Sequence, residues 1–197
     1  MHGQPRSPYQ DLLGTAYDAL APAVRAAHEA PLSAEGAMDV VHGDHFLTPL
    51  LILMMKLPAS GTNLPVVLNV TNEPIAGSER TRPTRAETDP LRTTMSWHRQ
   101  IGKKVLHTRQ LALRQHLVEQ SGPGCVEFAL RTEDDGSLRY EAVACRFLGV
   151  PLPRFLAPRV RAQVSANGSG WHVDVTVQWR GRLVCRYGGA MRPVHQS

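Results

Sequence analysis

Hydrophobic positions change their spacing near Leu64, and this change separates a helical part of the sequence from a strand-rich part. Between Tyr9 and Leu20 the apolar residues recur every three or four positions, which is typical of an amphipathic helix. Ser7 and Pro8 provide an N-cap and a first-turn residue for it. Beyond Leu64, apolar and polar residues alternate in short runs, which predicts strands with one buried face.

Two further short helices are predicted before this change. Residues 24–28 follow Pro22 and can form a short helical segment. Thr48 and Pro49 favour another helix start, as N-cap and first helical residue. Residues 50–55 of that helix are apolar on every side, so we expect it to be buried within its own domain rather than docked on a membrane or a partner.

Two polar segments are predicted as loops. The acidic, glycine-containing stretch 34–45 is predicted to be a loop with one short strand at 37–41. Residues 73–94 are rich in arginine and contain three prolines, which is typical of a long surface loop.

Runs of alternating residues follow Met95, and turn residues separate them. The clearest run, 171–180, alternates tryptophan or valine with polar residues, so one face is buried and the other is wet. Asp135-Gly136 and Asn167-Gly168 are typical of tight turns between antiparallel strands.

This order of elements predicts the fold class. We expect an α+β domain with a strongly curved antiparallel sheet or partial barrel of seven to nine strands, since a flat sheet of that size leaves exposed edges. A single domain is expected over residues 1–197, with two or three N-terminal helices in 8–58, the long polar loop in 73–94 and the sheet in 64–190. Such a curved sheet commonly encloses a pocket.

Composition excludes several classes of protein. With 197 residues, 42% of them hydrophobic and 20% charged, the chain is neither disordered nor a bundle of membrane helices. The net charge of +5 leaves open a basic surface for nucleic acid or an acidic partner, through Arg80, Arg82, Arg85 and Arg92. Arginine in place of lysine is also what a GC-rich genome encodes, so nucleic acid is the less favoured partner.

The strand that begins at Trp97 places Trp97 and Arg99 on one face and His98 on the other. An inward Arg99 would need a carboxylate such as Glu119, Glu127 or Glu141, because an unpaired buried guanidinium is costly. The pair could bind an anion or could be structural, and the structural interpretation is favoured. We take as candidate ligand-binding residues Trp97, Arg99, Glu119, Arg146, Phe155 and Tyr187.

Catalytic signatures are missing from the sequence. It contains no G-x-S-x-G motif, P-loop or G-x-G-x-x-G motif, and its three cysteines are widely spaced. The pair His42 and His45 lacks a recognised metal spacing, so neither a metal nor a cofactor is predicted. The remaining enzyme hypothesis is an isomerase or hydrolase that uses Glu119 as base near His98 and Arg99.

Residues 149–158 are predicted to leave the sheet, because Pro151 and Pro153 remove backbone donors. Phe155 and Leu156 then have the apolar mass to cap one open end of the curved sheet. This segment is interpreted either as a rigid crossover or as a plug that closes a ligand site.

The sequence resembles a bacterial family, domain of unknown function 4166. The resemblance rests on short matching pieces spread over nearly the whole chain, of which Arg146 to Pro158 is the most specific. These pieces are Tyr9 to Gly14 with Pro22 and His28, Leu57-Pro58 with Gly61, Trp97 to Arg99, Thr108 to Gln110, Leu117 to Glu119 with Gly122-Pro123, Phe147 to Pro153 with Leu156 to Pro158, and Tyr187 with Gly189. Members occur alone, after a saccharopine-dehydrogenase-like nucleotide-binding domain, or after a membrane portion.

The resemblance implies an accessory or ligand-binding module and possible company with an oxidoreductase-type partner domain. It supplies no catalytic residues for this sequence. The leading hypothesis is a non-enzymatic module that holds a small lipophilic or amphipathic ligand, which can be anionic. Its inner faces would include Phe128, Tyr140, Trp171 and Trp179. The N-terminus lacks the apolar segment of a signal peptide and no apolar run is long enough to span a bilayer, so a cytoplasmic location without a membrane span is expected.

Overall fold

A computed structural model describes residues 6–74 and 93–194 of the chain. Strands dominate this part, and the helices are short. The helical elements are α1 (Pro8–Leu13), a 3₁₀ turn (Gly14–Tyr17), α2 (Pro22–Ala26) and α3 (Thr48–Met54). The strands are β1 (Leu32–His42), β2 (Gly61–Pro74), β3 (Thr93–Ile101), β4 (Lys104–Leu113), β5 (His116–Ser121), β6 (Gly124–Thr132), β7 (Leu138–Phe147), β8 (Val150–Pro151), β9 (Arg159–Asn167), β10 (Gly170–Trp179) and β11 (Arg182–Pro193).

Ten of these strands form a closed antiparallel barrel. Around the ring the order is β1, β2, β3, β4, β5, β6, β7, β9, β10 and β11, and β11 pairs with β1 to close it. The two-residue strand β8 pairs with the end of β7 outside the ring. The prediction of a mostly antiparallel curved sheet is confirmed. The ring contains ten strands rather than the predicted seven to nine, and it is closed rather than partial.

Strand β1 accounts for much of this difference, because the sequence predicts only a short strand, 37–41, within a loop over residues 34–45, whereas β1 spans Leu32–His42. Its inward residues Ala34, Met38 and Val40 are buried, while acidic residues occupy outward positions between them. Gly36 also interrupts the pattern, since a Cβ there would lie 2.1 Å from the backbone oxygen of Ala190 on β11. The glycine that resembles a loop signal therefore permits the close approach of two strands.

The predicted loop 73–94 falls mainly outside the described residues. Glu73 and Pro74 end β2, and Thr93 and Thr94 begin β3. Residues 75–92, with Arg80, Arg82, Arg85 and Arg92, lie outside the part of the chain that the structure describes.

The N-terminal helices close one end of the barrel, which we call the base. Ser7 and Gln10 form the capping box that starts α1, with the Gln10 N–H donating to Ser7 Oγ. The predicted amphipathic helix is shorter than its apolar stripe, because α1 ends at Leu13 and continues as the 3₁₀ turn. The Ala21 N–H donates to the backbone oxygen of Gly136 in the β6–β7 turn. Side chains of the helical segment, Tyr9 among them, are buried in the core.

We call the opposite end of the barrel the mouth. It is formed by the connection from β1 to β2 and by the other connections at the same end. These connections are residues 43–60, 102–103, 122–123, 148–158 and 180–181. Segment 45–56 crosses the mouth: the His45 ring lies 6.0 Å from the Trp179 ring at the end of β10. Lys56 lies beside Gly122 in the β5–β6 turn, on the far side of the ring.

The expectation that α3 is buried is wrong. Leu51, Ile52 and Met55 pack against the core, but Leu53 is 74% exposed, and Leu50 and Met54 are exposed as well. A helix laid across an opening can bury only the face turned inward, whatever its composition. Among the described residues no helix is long and apolar enough to cross a membrane.

The proline-rich segment 149–158 leaves the barrel wall as expected, and only Val150 and Pro151 form a strand there. Its Leu156 backbone oxygen accepts a hydrogen bond from Trp179 Nε1 at 3.1 Å. Phe155 is 60% exposed, so its ring does not fill the mouth as a plug.

Candidate functional site

A cluster of polar side chains lies in the middle of the barrel interior. At its centre, Arg99 Nη1 on β3 donates to Glu119 Oε1 on β5 at 3.1 Å. The Arg99 guanidinium also lies over the Trp97 ring, with 4.8 Å between its carbon and the ring centroid. We call the lumen cluster the set of Tyr9, His28, Trp97, Arg99, Thr108, Gln110, Glu119, Tyr140 and Tyr187.

Strand register explains why these residues meet. Thr108 lies opposite Trp97 across the β3–β4 pair, and Glu119 lies opposite Gln110 across the β4–β5 pair. Directly opposite residues of an antiparallel pair point to the same face. Because Trp97 and Gln110 are buried, all four side chains face inward.

Directed hydrogen bonds link the helical base to Glu119. The Tyr9 hydroxyl donates to Gln110 Oε1 at 2.6 Å, and Gln110 Nε2 donates to Glu119 Oε2 at 3.1 Å. A second branch begins at His28, whose Nδ1 lies 2.6 Å from the Val24 backbone oxygen. Because that oxygen can only accept, Nδ1 carries the proton and Nε2 accepts from Tyr140.

The two branches meet at the tyrosines, whose hydroxyl oxygens are 3.3 Å apart. Burial lowers the pKa of His28 to about 4, against a hydrogen bond with Val24 that raises it. Burial also raises the pKa of Tyr9 and of Tyr140, so both hydroxyls keep their protons. The base side of the cluster is therefore neutral, and its charge is confined to Arg99 and Glu119.

Burial by itself would lower the pKa of Arg99, but Glu119 and the nearby tyrosines outweigh burial, so the pKa of Arg99 is raised. For Tyr187, burial raises the pKa to about 12, and the positive charge of Arg99 acts in the opposite direction. Arg99 therefore stays cationic inside the barrel.

Although both groups of the Arg99–Glu119 pair lie within the barrel, the Arg99 side chain is 25% exposed and that of Glu119 is 18% exposed. Part of the polar surface of both side chains therefore stays accessible.

Two buried polar atoms of the lumen cluster have no hydrogen-bond partner among the described residues: Trp97 Nε1 and Thr108 Oγ1. An unpartnered buried N–H or hydroxyl costs about 1–3 kcal/mol. A donor and a hydroxyl on opposed positions of neighbouring strands, next to a guanidinium, can together hold an acceptor group such as a carboxylate.

Four of the six candidate residues named from the sequence belong to the lumen cluster: Trp97, Arg99, Glu119 and Tyr187. The other two do not. Arg146 lies on the outer face, where its Nη2 is 3.2 Å from Glu127 Oε1. Phe155 is exposed beside the mouth.

The arrangement required by the enzyme hypothesis is not formed. His98 points away from Glu119 and stacks on His107, with ring centroids 4.1 Å apart. Glu119 already accepts hydrogen bonds from Arg99 and Gln110.

The described residues contain no group of three or more His, Cys, Asp or Glu side chains placed to hold a metal. Burial raises the pKa of Cys145 and of Cys185 to about 11, so both are thiols in the wall.

Sequence reasoning missed Tyr9, His28, Thr108 and Gln110. The helix pattern places Tyr9 in the apolar stripe of α1, but it does not show which residues that stripe contacts. Thr108 and Gln110 could have been found, because a two-residue turn at Gly102 places residue 108 opposite residue 97.

Two open grooves of the described residues lie away from the lumen cluster. An open groove of about 570 Å³ lies along β1, β2, β10 and β11, and its lining includes the outward side chains Glu35, Val67 and Arg192. A smaller one of about 270 Å³ lies at the mouth between Phe46 and the β10–β11 turn. Neither includes a residue of the lumen cluster.

Comparison with protein families matches residues 20–191 to a model described as Domain of unknown function (DUF4166). No curated protein and no solved structure matches the chain.

Proposed function

The chain belongs to the DUF4166 family, and from the geometry of its barrel we propose that it is a non-enzymatic binding module for a small amphipathic ligand with an acceptor group, such as a carboxylate. The polar end of this ligand lies at Arg99, Trp97 and Thr108. Its apolar part extends toward the mouth, between buried wall residues such as Val40 and Ile101.

The observation that carries this proposal is the pair of unpartnered atoms, Trp97 Nε1 and Thr108 Oγ1, next to a partly accessible guanidinium. A barrel interior whose only task is packing gains nothing from these groups, since apolar residues of the same shape avoid the desolvation cost. A ligand that accepts from them recovers that cost on binding. Closed up-and-down barrels of this kind commonly enclose ligand cavities.

Thr108→Val tests the proposal because its effects on stability and on binding have opposite signs. Removal of an unpartnered hydroxyl at nearly constant shape should leave the ligand-free protein as stable as the wild type, or more stable. Removal of a ligand contact should weaken binding about fivefold, as loss of one hydrogen bond of about 1 kcal/mol implies. We would measure thermal unfolding after organic-solvent extraction, and binding of a dansylated fatty acid by fluorescence, with the matching dansylated alcohol for comparison.

Thr48→Val is the matched control, since Thr48 Oγ1 is also buried and without a partner among the described residues but lies at the start of α3. It should leave the affinity for the fatty acid unchanged. Equal affinities of wild type and Thr108→Val, or no binding of either probe by the extracted protein, would contradict the proposal.

A further inference from the structure

The mouth of the barrel differs from the base in exposed apolar surface. Of the thirteen large hydrophobic side chains that are exposed in the described residues, eight lie in the mouth connections. They are Phe46, Leu50, Leu53, Met54, Leu148, Val150, Phe155 and Leu156. Concentration of such side chains at one end marks an interaction surface, whereas single exposed hydrophobics do not.

The outer face of α3 forms the middle of this surface. The helix crosses the mouth with Leu51, Ile52 and Met55 turned inward, so Leu50, Leu53 and Met54 must point away from the barrel. Phe46, at 81%, is the most exposed of all of them. These side chains lie at one end of the barrel, where a flat partner can contact them together.

The charges at the mouth are almost all positive. The mouth connections and the strand residues that adjoin them contain seven basic residues and one acidic residue, Asp44. The basic residues are Lys56, Lys103, Lys104, Arg154, Arg159, Arg180 and Arg182. All three lysines of this arginine-rich chain are among them.

The base shows the opposite balance. Its described connections contain Arg6, Arg25 and Arg114 as basic residues and twice as many acidic ones. The acidic residues are Asp11, Asp18, Glu29, Glu133, Asp134 and Asp135. The described part of the barrel is therefore polarised along its axis, with positive charge and exposed apolar side chains at the same end.

We propose that the mouth docks on an anionic lipid bilayer surface, with the outer face of α3 in the interface and the basic rim around it on the lipid headgroups. Basic residues that surround an exposed apolar helix face are the combination that peripheral membrane binding requires. The groove of about 270 Å³ lined by Phe46, Trp179, Arg180 and Arg182 lies within this rim, where two guanidinium groups can contact a phosphate. The docking site does not depend on the lumen ligand.

Cosedimentation with vesicles tests the proposal. The full chain should bind vesicles of equal parts phosphatidylcholine and phosphatidylglycerol, and should bind pure phosphatidylcholine vesicles far more weakly. Lys103→Gln combined with Lys104→Gln should reduce the partition coefficient on the order of tenfold at low salt. Leu53→Ser should reduce it by a similar factor, because it removes apolar surface from the interface.

Matched variants separate the mouth from the rest of the surface. Val67→Ser removes an exposed apolar side chain from the outer wall, and Arg114→Gln with Arg131→Gln removes two charges away from the mouth. All of these should bind vesicles like the wild type, and so should Thr108→Val, which tests the lumen separately. Equal binding to both kinds of vesicle, or binding to neither, would overturn the proposal. Retention on immobilised polyglutamate without binding to anionic vesicles would assign the mouth to an acidic protein instead and would also overturn it.

Discussion

Replacement of Glu119 by methionine is expected to destabilise the protein by about 3 kcal/mol, measured by urea unfolding at neutral pH. The substitution keeps a similar side-chain length but leaves the Arg99 guanidinium inside the barrel without its carboxylate. It also removes the acceptor of Gln110 Nε2, a group that is buried. This loss of stability is at the lower end of the range observed when one partner of a buried ion pair is removed, because both side chains keep some accessible surface.

A second substitution shows whether the charge is the cause. Arg99→Met in the Glu119→Met background removes the unpaired cation, so the double variant should recover most of the lost stability. The ion pair of Arg186 with Asp174 is the matched control: it is shorter, at 2.6 Å, but lies exposed on the outer wall. Asp174→Asn should change the stability little, because water screens that pair. If Asp174→Asn cost as much as Glu119→Met, burial would not be what decides the effect.

Acidification from about pH 7 to pH 5 is expected to lower the free energy of unfolding by about 2 kcal/mol through His28 alone. Burial holds the pKa of this histidine at about 4 in the folded protein, below the ordinary value of 6.5. Between these two values the unfolded chain binds a proton that the folded chain does not. The stabilisation by His28 is therefore present above pH 6.5, decreases as the pH falls below it, and is lost below pH 4.

His28→Gln isolates this contribution, because glutamine does not titrate. The variant should be less stable at neutral pH, since its contacts with Val24 and Tyr140 are altered, but its stability should change less over the same pH range. His98→Gln, on the outer wall, should retain the dependence of the wild type. A wild-type stability that stays level between pH 7 and pH 5 would show that His28 is not held neutral.

Period-two patterning predicted the strands from Met95 to Tyr187 well, because their inward and outward positions differ in polarity. It failed at β1, where Gly36 is selected by the approach of Ala190 rather than by a turn. That approach joins residues distant in sequence, so no local pattern reveals it. The expectation for α3 failed for another reason: composition shows that a helix is apolar but not that only one of its faces contacts the core.

The candidate site divides in the same way. Trp97, Arg99 and Glu119 could be predicted because a guanidinium on an inward face requires a carboxylate, and few were within reach. Tyr9 and His28 reach the same cluster from helices at the base, through packing that the sequence does not display. Arg146 and Phe155 were selected for their place in a distinctive run of residues, which shows nothing about the direction of a side chain.

The single pairing that closes the ring has a consequence for the folding mechanism. Every other pair in the ring joins strands that follow each other along the chain, apart from the short β8 between β7 and β9, whereas β1 and β11 bring Ala34 opposite Pro193. The residues of this pairing are far apart in the sequence, so its contact order is high. The entropic cost of bringing them together falls only after the intervening hairpins have formed. We therefore expect the seam between β1 and β11 to form late, after the transition state for folding. Weakening it at Gly36 or Gly189 is then expected to accelerate unfolding more than it slows folding, and we expect the lifetime of the native barrel to be set at this seam.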